Sequence, residues 1–224
     1  MEPKIFVIIT AAGQSLRMGF DKLTTPLCGK SVLERTLEAF QGLSAAETLL
    51  TVTPGREEEF QALVNGRARI VTGGSCRAKS VYNAVQTISS PDDAIVVIHD
   101  CDRPFVEMRV ILDTIEKAKE TGAAIAAQPC SSTVKVTDNG IIDHTPPRET
   151  LYLASTPQTF KLSVLKKAYR SLDAKDDWDK LTDEALILEK AGIPAAVCQD
   201  SENNFKLTTK KDWDFASFQL SKNA

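Results

Sequence analysis

Short apolar runs alternate with longer amphipathic stretches along most of this chain, and that alternation restricts the fold more than any other feature. "KIFVIIT", "ETLLTVT", "ARIVT", "AIVVIH" and "AAIAAQP" read as strands. "VLERTLEAFQGL", "REEEFQALV", "AKSVYNAVQTI" and "MRVILDTIEKAKE" place apolar residues at three- and four-residue spacing, the period of a helix with one buried face. Strand–helix alternation predicts an α/β fold: a mostly parallel sheet whose faces are covered by helices. With 224 residues the chain is long enough for one sizeable core.

The alternation breaks at about residue 130. "SSTVKVTDNGIIDHTPPRETLYLASTPQTF" alternates at period two around "DNG", a strong hairpin signal. "HTPPRE" then forces extended backbone, because each proline biases the residue before it away from helix. Residues 131–153 are therefore expected to form a β-hairpin projecting from the sheet. Such an arm buries too little alone and is expected to pack on a partner subunit. Two helix-like stretches, the apolar run "IPAAVCQ", the loop "DSENNFKLTTKKD" and a last helix close the chain. No repeat or linker interrupts it, so residues 1–224 read as a single domain with an arm.

A formal net charge of −3 argues against broad electrostatic binding to nucleic acid or an anionic membrane. The five cysteines lie far apart, with no CxxC pair, which argues against a zinc site or a disulfide framework. No signal-peptide pattern opens the sequence, and no apolar run approaches the roughly 20 residues that span a bilayer. A cytoplasmic protein is expected.

In open parallel sheets, ligands sit beyond the carboxyl ends of the strands. Three polar loops fall there: 11–22, 73–80 and 99–104. The first, "AAGQSLRMGFDK", matches neither the GxGxxG fingerprint nor the GxxxxGK[ST] loop. Its small residues Ala11, Ala12 and Gly13 still let a ligand approach the backbone, with Arg17 and Lys22 suited to polyphosphate oxygens. A solvated basic loop is the plain alternative. "GGSCRAKSV" puts Gly74, Arg77 and Ser80 at a helix start, where free N–H groups favour anions; a tight turn explains the glycines but not Arg77. "HDCDRP" brings Asp100, Asp102 and Arg103 to one strand tip, suiting a divalent cation or an anionic substrate, with a surface Asp102–Arg103 pair as the plain alternative. His99 is assigned no role.

Taken in order, "AAGxxxRMG…K", "GGxxRxxSV", "HDxxRP", "TPQxF", "TDEA" and "NxKxT" resemble the 2-C-methyl-D-erythritol 4-phosphate cytidylyltransferases over about residues 5 to 215. The resemblance implies a Rossmann-like nucleotidyltransferase fold and a homodimer whose β-arms cross between subunits. It also implies transfer of the cytidylyl group of CTP to 2-C-methyl-D-erythritol 4-phosphate with release of pyrophosphate, in the non-mevalonate route to isoprenoids, assisted by Mg²⁺ or another divalent cation. Arg17 and Lys22 match the pair that stabilises the transition state, and Arg148 and Lys206 are cations on the acceptor side. Ala11, Ala12, Gly13, Gly74, Arg77 and Ser80 match positions around CTP. Asp100, Arg103, Thr133, Arg148, Thr156, Thr182 and Lys206 match positions around the acceptor, and Asp100 is the candidate metal contact. Thr133 and Arg148 lie on the arm, so they would serve the neighbouring subunit.

Three departures stand out. "DKL" replaces the usual "PKQ" with a shortened spacing, leaving Asp21 where it could divert the charge of Lys22. "HDCDRP" replaces "HDAARP", adding Asp102, and Tyr152 stands where tryptophan is usual. The ribitol-5-phosphate cytidylyltransferases share most of these motifs and are the alternative enzyme, along with other sugar-phosphate nucleotidyltransferases. A non-catalytic nucleotide-binding domain is the alternative outside enzymes.

Overall fold

A computed structural model describes residues 2–13, 18–173 and 176–222. β1 (Ile5–Ala11) is followed by a short ladder of β2 (Pro26–Leu27) with β3 (Lys30–Ser31), then by α1 (Val32–Ala39). Next come β4 (Glu47–Val52), α2 (Glu57–Val64), β5 (Arg69–Thr72), α3 (Arg77–Thr87), β6 (Ile95–Asp100) and α4 (Met108–Thr121). β7 (Ala123–Pro129), β8 (Val136–Asp138), β9 (Ile141–His144) and β10 (Tyr152–Lys161) follow. The chain ends with α5 (Leu162–Arg170), α6 (Glu184–Lys190), β11 (Ala196–Gln199) and α7 (Lys210–Lys222).

Seven strands form the main sheet in the order β11-β7-β10-β6-β1-β4-β5. β1 is parallel to β4 on one side and to β6 on the other. The chain thus winds outward from β1 through β4 and β5, then crosses back to place β6 on β1's other edge. That reversal opens a crevice at the carboxyl ends of β1 and β6.

Residues of β1 supply both layers of core. Val7 and Ile9 pack with Leu33 and Leu37 of α1 and Ile111 and Ile115 of α4. Phe6 and Ile8 pack on the other face with Val81 and Val85 of α3 and Leu165 of α5. This period-two division explains why the strand reads as one continuous apolar run. A capping box between Ser31 and Glu34 starts α1, while Gly122, at φ 92°, stops α4 before β7.

The tract after β7 differs from the expectation in one important way. β10 is a full member of the main sheet, antiparallel to both β6 and β7. Tyr152 and Leu153 therefore pair with Pro129 and Gln128 instead of belonging to the hairpin. The arm's own ladder is shorter than 131–153 and joins β8 to β9 alone. Its turn is formed by Asn139 at φ 48° and Gly140 at φ 81°, the left-handed pair that a tight hairpin of this kind requires. Residues 131–145 are all exposed, including Ile141 and Ile142. Among the described residues, no helix is long and apolar enough to cross a membrane.

Candidate active site

A cavity of about 360 Å³ opens where the carboxyl ends of β1 and β6 meet the start of α3. All three polar loops reach it: Ala12 and Gly13 from the first, Arg77 and Ser80 from the second, Asp100 and Asp102 from the third. Lys22 and, from a fourth segment, Lys206 complete its charged wall.

The charges are tightly organised. Lys22 Nζ lies 2.5 Å from Asp102 Oδ2 and donates to the carbonyl of Leu207 at 2.6 Å. Lys206 Nζ lies 2.8 Å from Asp100 Oδ2 and 3.7 Å from Asp102 Oδ1. Two lysines far apart in sequence thus meet across one pair of aspartates. Asp100 also receives Arg77 Nε at 3.0 Å, with Arg103 Nε 3.8 Å away. Burial opposes ionisation of Asp100, but Arg77, Lys206 and Arg103 together outweigh it and hold its carboxyl well below the usual range.

Arg77 continues the network inward, donating to both oxygens of the fully buried Glu184 at 3.0 and 2.9 Å. Burial pushes the Glu184 carboxyl up, and the pairing with Arg77 offsets only part of that. His99 is structural. Its Nδ1 lies 3.0 Å from Thr156 Oγ1 and its Nε2 lies 3.0 Å from the carbonyl of Arg103; burial pushes its pKa down to about 4.

The second loop is shaped by packing. A Cβ on Gly73 would lie 2.8 Å from the Val52 carbonyl oxygen and 3.0 Å from Ala12 Cβ, and one on Gly74 would meet Lys79 Cγ at 2.4 Å. Ser80 Oγ accepts from the Gly74 N–H and donates to the Cys76 carbonyl, so its hydroxyl holds the turn. α3 begins at the cavity without a side-chain cap, leaving N-terminal N–H groups beside Arg77.

The family described as 2-C-methyl-D-erythritol 4-phosphate cytidylyltransferase matches residues 5–222. An enzyme of that name from Petrotoga mobilis is 36% identical over 220 residues, covering 95% of this chain and 96% of its own. Among solved structures, the 4-diphosphocytidyl-2C-methyl-D-erythritol synthase of Anaerococcus prevotii has a TM-score of 0.86 at 29% identity, covering 98% of this chain and 96% of its own. The 2-C-methyl-D-erythritol 4-phosphate cytidylyltransferase of Thermus thermophilus has a TM-score of 0.78 at 30% identity, covering 99% and 100%. The chain belongs to the 2-C-methyl-D-erythritol 4-phosphate cytidylyltransferase family.

The motifs of this cytidylyltransferase interlock. In "TPQTF", Gln158 Oε1 accepts the backbone N–H groups of Glu184 and Ala185, and its Nε2 donates to Asp183 at 2.8 Å, fixing the start of α6. Thr156 Oγ1 accepts the N–H of Asp100. In "NFKLT", Asn204 donates to the carbonyl of Thr156 at 2.7 Å and to Asp200, while its own carbonyl accepts from Arg103. That anchorage brings Lys206 to Asp100.

Not every expected site residue reaches the cavity. Ala11 ends β1 in the core, and Thr156, Arg103 and Gly74 brace the walls through the contacts above. Thr133, Arg148 and Thr182 are exposed, with Arg148 donating to the Ser131 carbonyl at 3.2 Å. Arg17 lies outside the described residues. Asp21 does not divert Lys22. Its carboxylate pairs with Arg56 at 2.5 Å, and Asp102 takes the lysine instead. Nor does Asp102 pair with Arg103, whose guanidinium turns to Asp100 and Asn204. Glu184, Gln158 and Asn204 lie within "TDEA", "TPQTF" and "NFKLT", but their anchoring roles depend on partners distant in sequence, and no motif marks Asp200.

Proposed function

We infer that this cytidylyltransferase joins CTP to 2-C-methyl-D-erythritol 4-phosphate, giving 4-diphosphocytidyl-2-C-methyl-D-erythritol and pyrophosphate. The observation that carries the mechanism is the meeting of Lys22 and Lys206 at Asp100 and Asp102 in one cavity. A phosphate oxygen of the acceptor attacks the α-phosphorus of CTP as the bond to the β-phosphate oxygen breaks, and pyrophosphate leaves with that electron pair. The attacking oxygen is already anionic at neutral pH, so no general base is required. The obstacle is bringing two polyanions together. Two unit charges 4 Å apart repel by about 4 kcal/mol at an effective dielectric near 20.

Cations must offset that repulsion and the charge gathering on the α-phosphate. Lys22 serves the nucleotide side together with Arg17, and Lys206 serves the acceptor side together with Arg148. The uncapped start of α3, beside Arg77, favours an anionic group near the nucleotide.

Mg²⁺, which usually binds one or two carboxylates plus substrate phosphates, would be held here by Asp100, whose carboxyl the surrounding cations keep ionised, and by the triphosphate. No cluster of three or more metal-ligating His, Cys, Asp or Glu residues exists among the described residues, so the phosphates would supply most ligands. When bound, the ion offsets negative charge on the triphosphate.

The protein is further proposed to act as a cytoplasmic homodimer. Ile141 and Ile142 are 74% and 59% exposed on a two-stranded arm, a surface that suits a second subunit. In that arrangement Thr133 and Arg148 reach the neighbouring cavity. Pyrophosphate release from CTP, measured with methylerythritol 4-phosphate and ribitol 5-phosphate in separate reactions, tests the assignment; release that requires the first acceptor supports it.

A further inference from the structure

Asp102 lies between two lysines assigned to opposite substrates, at 2.5 Å from Lys22 Nζ and 3.7 Å from Lys206 Nζ. The side chains of Lys22 and Asp102 are only 11% and 12% exposed, so solvent screens their attraction weakly. The contact is also part of a closed ring. Lys22 Nζ donates to the Leu207 carbonyl at 2.6 Å, and the Leu207 N–H donates to the Asp102 carbonyl at 2.8 Å. An ammonium has three donors, and a lysine stem is flexible. Among the described residues Lys22 Nζ meets two fixed acceptors, on separate segments, so a third N–H is available to a ligand in the cavity it lines.

We propose that Asp102 is the positioning residue for Lys22 and that its charge sets how strongly the cavity holds polyanions. This rests on the role given to Lys22 above. Two consequences of opposite sign follow. Removing the negative charge of Asp102 leaves Lys22 and Lys206 less neutralised, so a polyanion binds more tightly. The same change loosens the Lys22 ammonium, so the chemical step slows. A residue that merely supported the fold would weaken binding and turnover together.

The test compares wild-type protein with Asp102→Asn and Asp102→Glu, using inorganic pyrophosphate as the binding probe in calorimetry and CTP turnover as the kinetic readout. Asp102→Asn is expected to bind pyrophosphate about tenfold more tightly while kcat falls about tenfold. Asp102→Glu restores the charge and is expected to return the affinity to the wild-type range. In a Lys22→Ala background, Asp102→Asn should have no further effect on kcat. Unchanged or weaker pyrophosphate binding in a folded Asp102→Asn protein overturns the proposal, as does an equal kcat loss with and without Lys22. If Asp102→Asn does not fold, Asp102→Ser takes its place in the same comparison. Pyrophosphate binding without CTP turnover in the wild type would refute the reaction assigned above, yet the affinity comparison would still decide the role of Asp102.

Discussion

The guanidinium of Arg77 spans Glu184, fully buried at the head of α6, and Asp100 at the tip of β6. Burial works against its charge, yet the two carboxylates outweigh burial and hold the guanidinium above its ordinary value. Its own side chain remains 24% exposed, so the pair is partly solvated on the cavity side. Arg77→Met leaves the Glu184 carboxyl without its cation and is expected to cost about 3 kcal/mol, toward the low end for breaking a buried pair. Glu184→Gln leaves Arg77 with Asp100 and should cost less. Urea denaturation of both variants checks this order, and equal losses would contradict it.

His99 provides a pH prediction. Burial depresses its pKa in the folded protein to about 4, below its ordinary value of 6.5. The folded chain thus binds this proton less readily than the unfolded chain. The contribution of neutral His99 is present above pH 6.5 and is lost as pH falls through about 4, a loss of about 3 kcal/mol in full. In a His144→Asn protein a single imidazole remains for NMR, because the chain has two histidines. Its titration midpoint should lie near 4; a midpoint above 6 would contradict the burial argument.

Lys22→Ala and Lys206→Ala should each lower kcat by roughly two to three decades, the usual loss for deleting one preorganised stabilising donor. KM for CTP should change less in Lys22→Ala. Steady-state kinetics with both substrates varied separates these effects, and wild-type kcat in either variant removes that lysine from the mechanism.

The arm is open to a complementation test. Homodimers of Arg148→Ala and homodimers of Lys22→Ala should both be weak. Mixed dimers should recover activity, since one composite site then carries both cations. Absence of recovery in verified mixed dimers would place Arg148 outside the neighbouring cavity.

Much of this arrangement is legible in the sequence. Continuous apolar runs located β1, β6 and β7 because strands buried on both faces leave that pattern. β10 escaped recognition as a sheet strand because Pro157 interrupts it and its pairing with β7 shifts register between Ala154 and Gln158. The three polar loops were legible because strand ends determine where a parallel sheet binds ligands. Side-chain partnership was not. Asp21 neighbours Lys22 in sequence, but the lysine pairs with Asp102, 80 residues away. The role of Asn204 as an anchor depends on the backbone of Thr156, a contact between strand and loop that no local pattern encodes.

The central claim is that the cations gathered around Asp100 and Asp102 serve one acceptor-dependent transfer. Its most direct test is the rate of pyrophosphate release from CTP with Mg²⁺ present, with no acceptor, with methylerythritol 4-phosphate, or with ribitol 5-phosphate. Fast release only with methylerythritol 4-phosphate, lost by two or more decades in Lys22→Ala, is the predicted result. Release that ignores that acceptor, or prefers ribitol 5-phosphate, would contradict the claim.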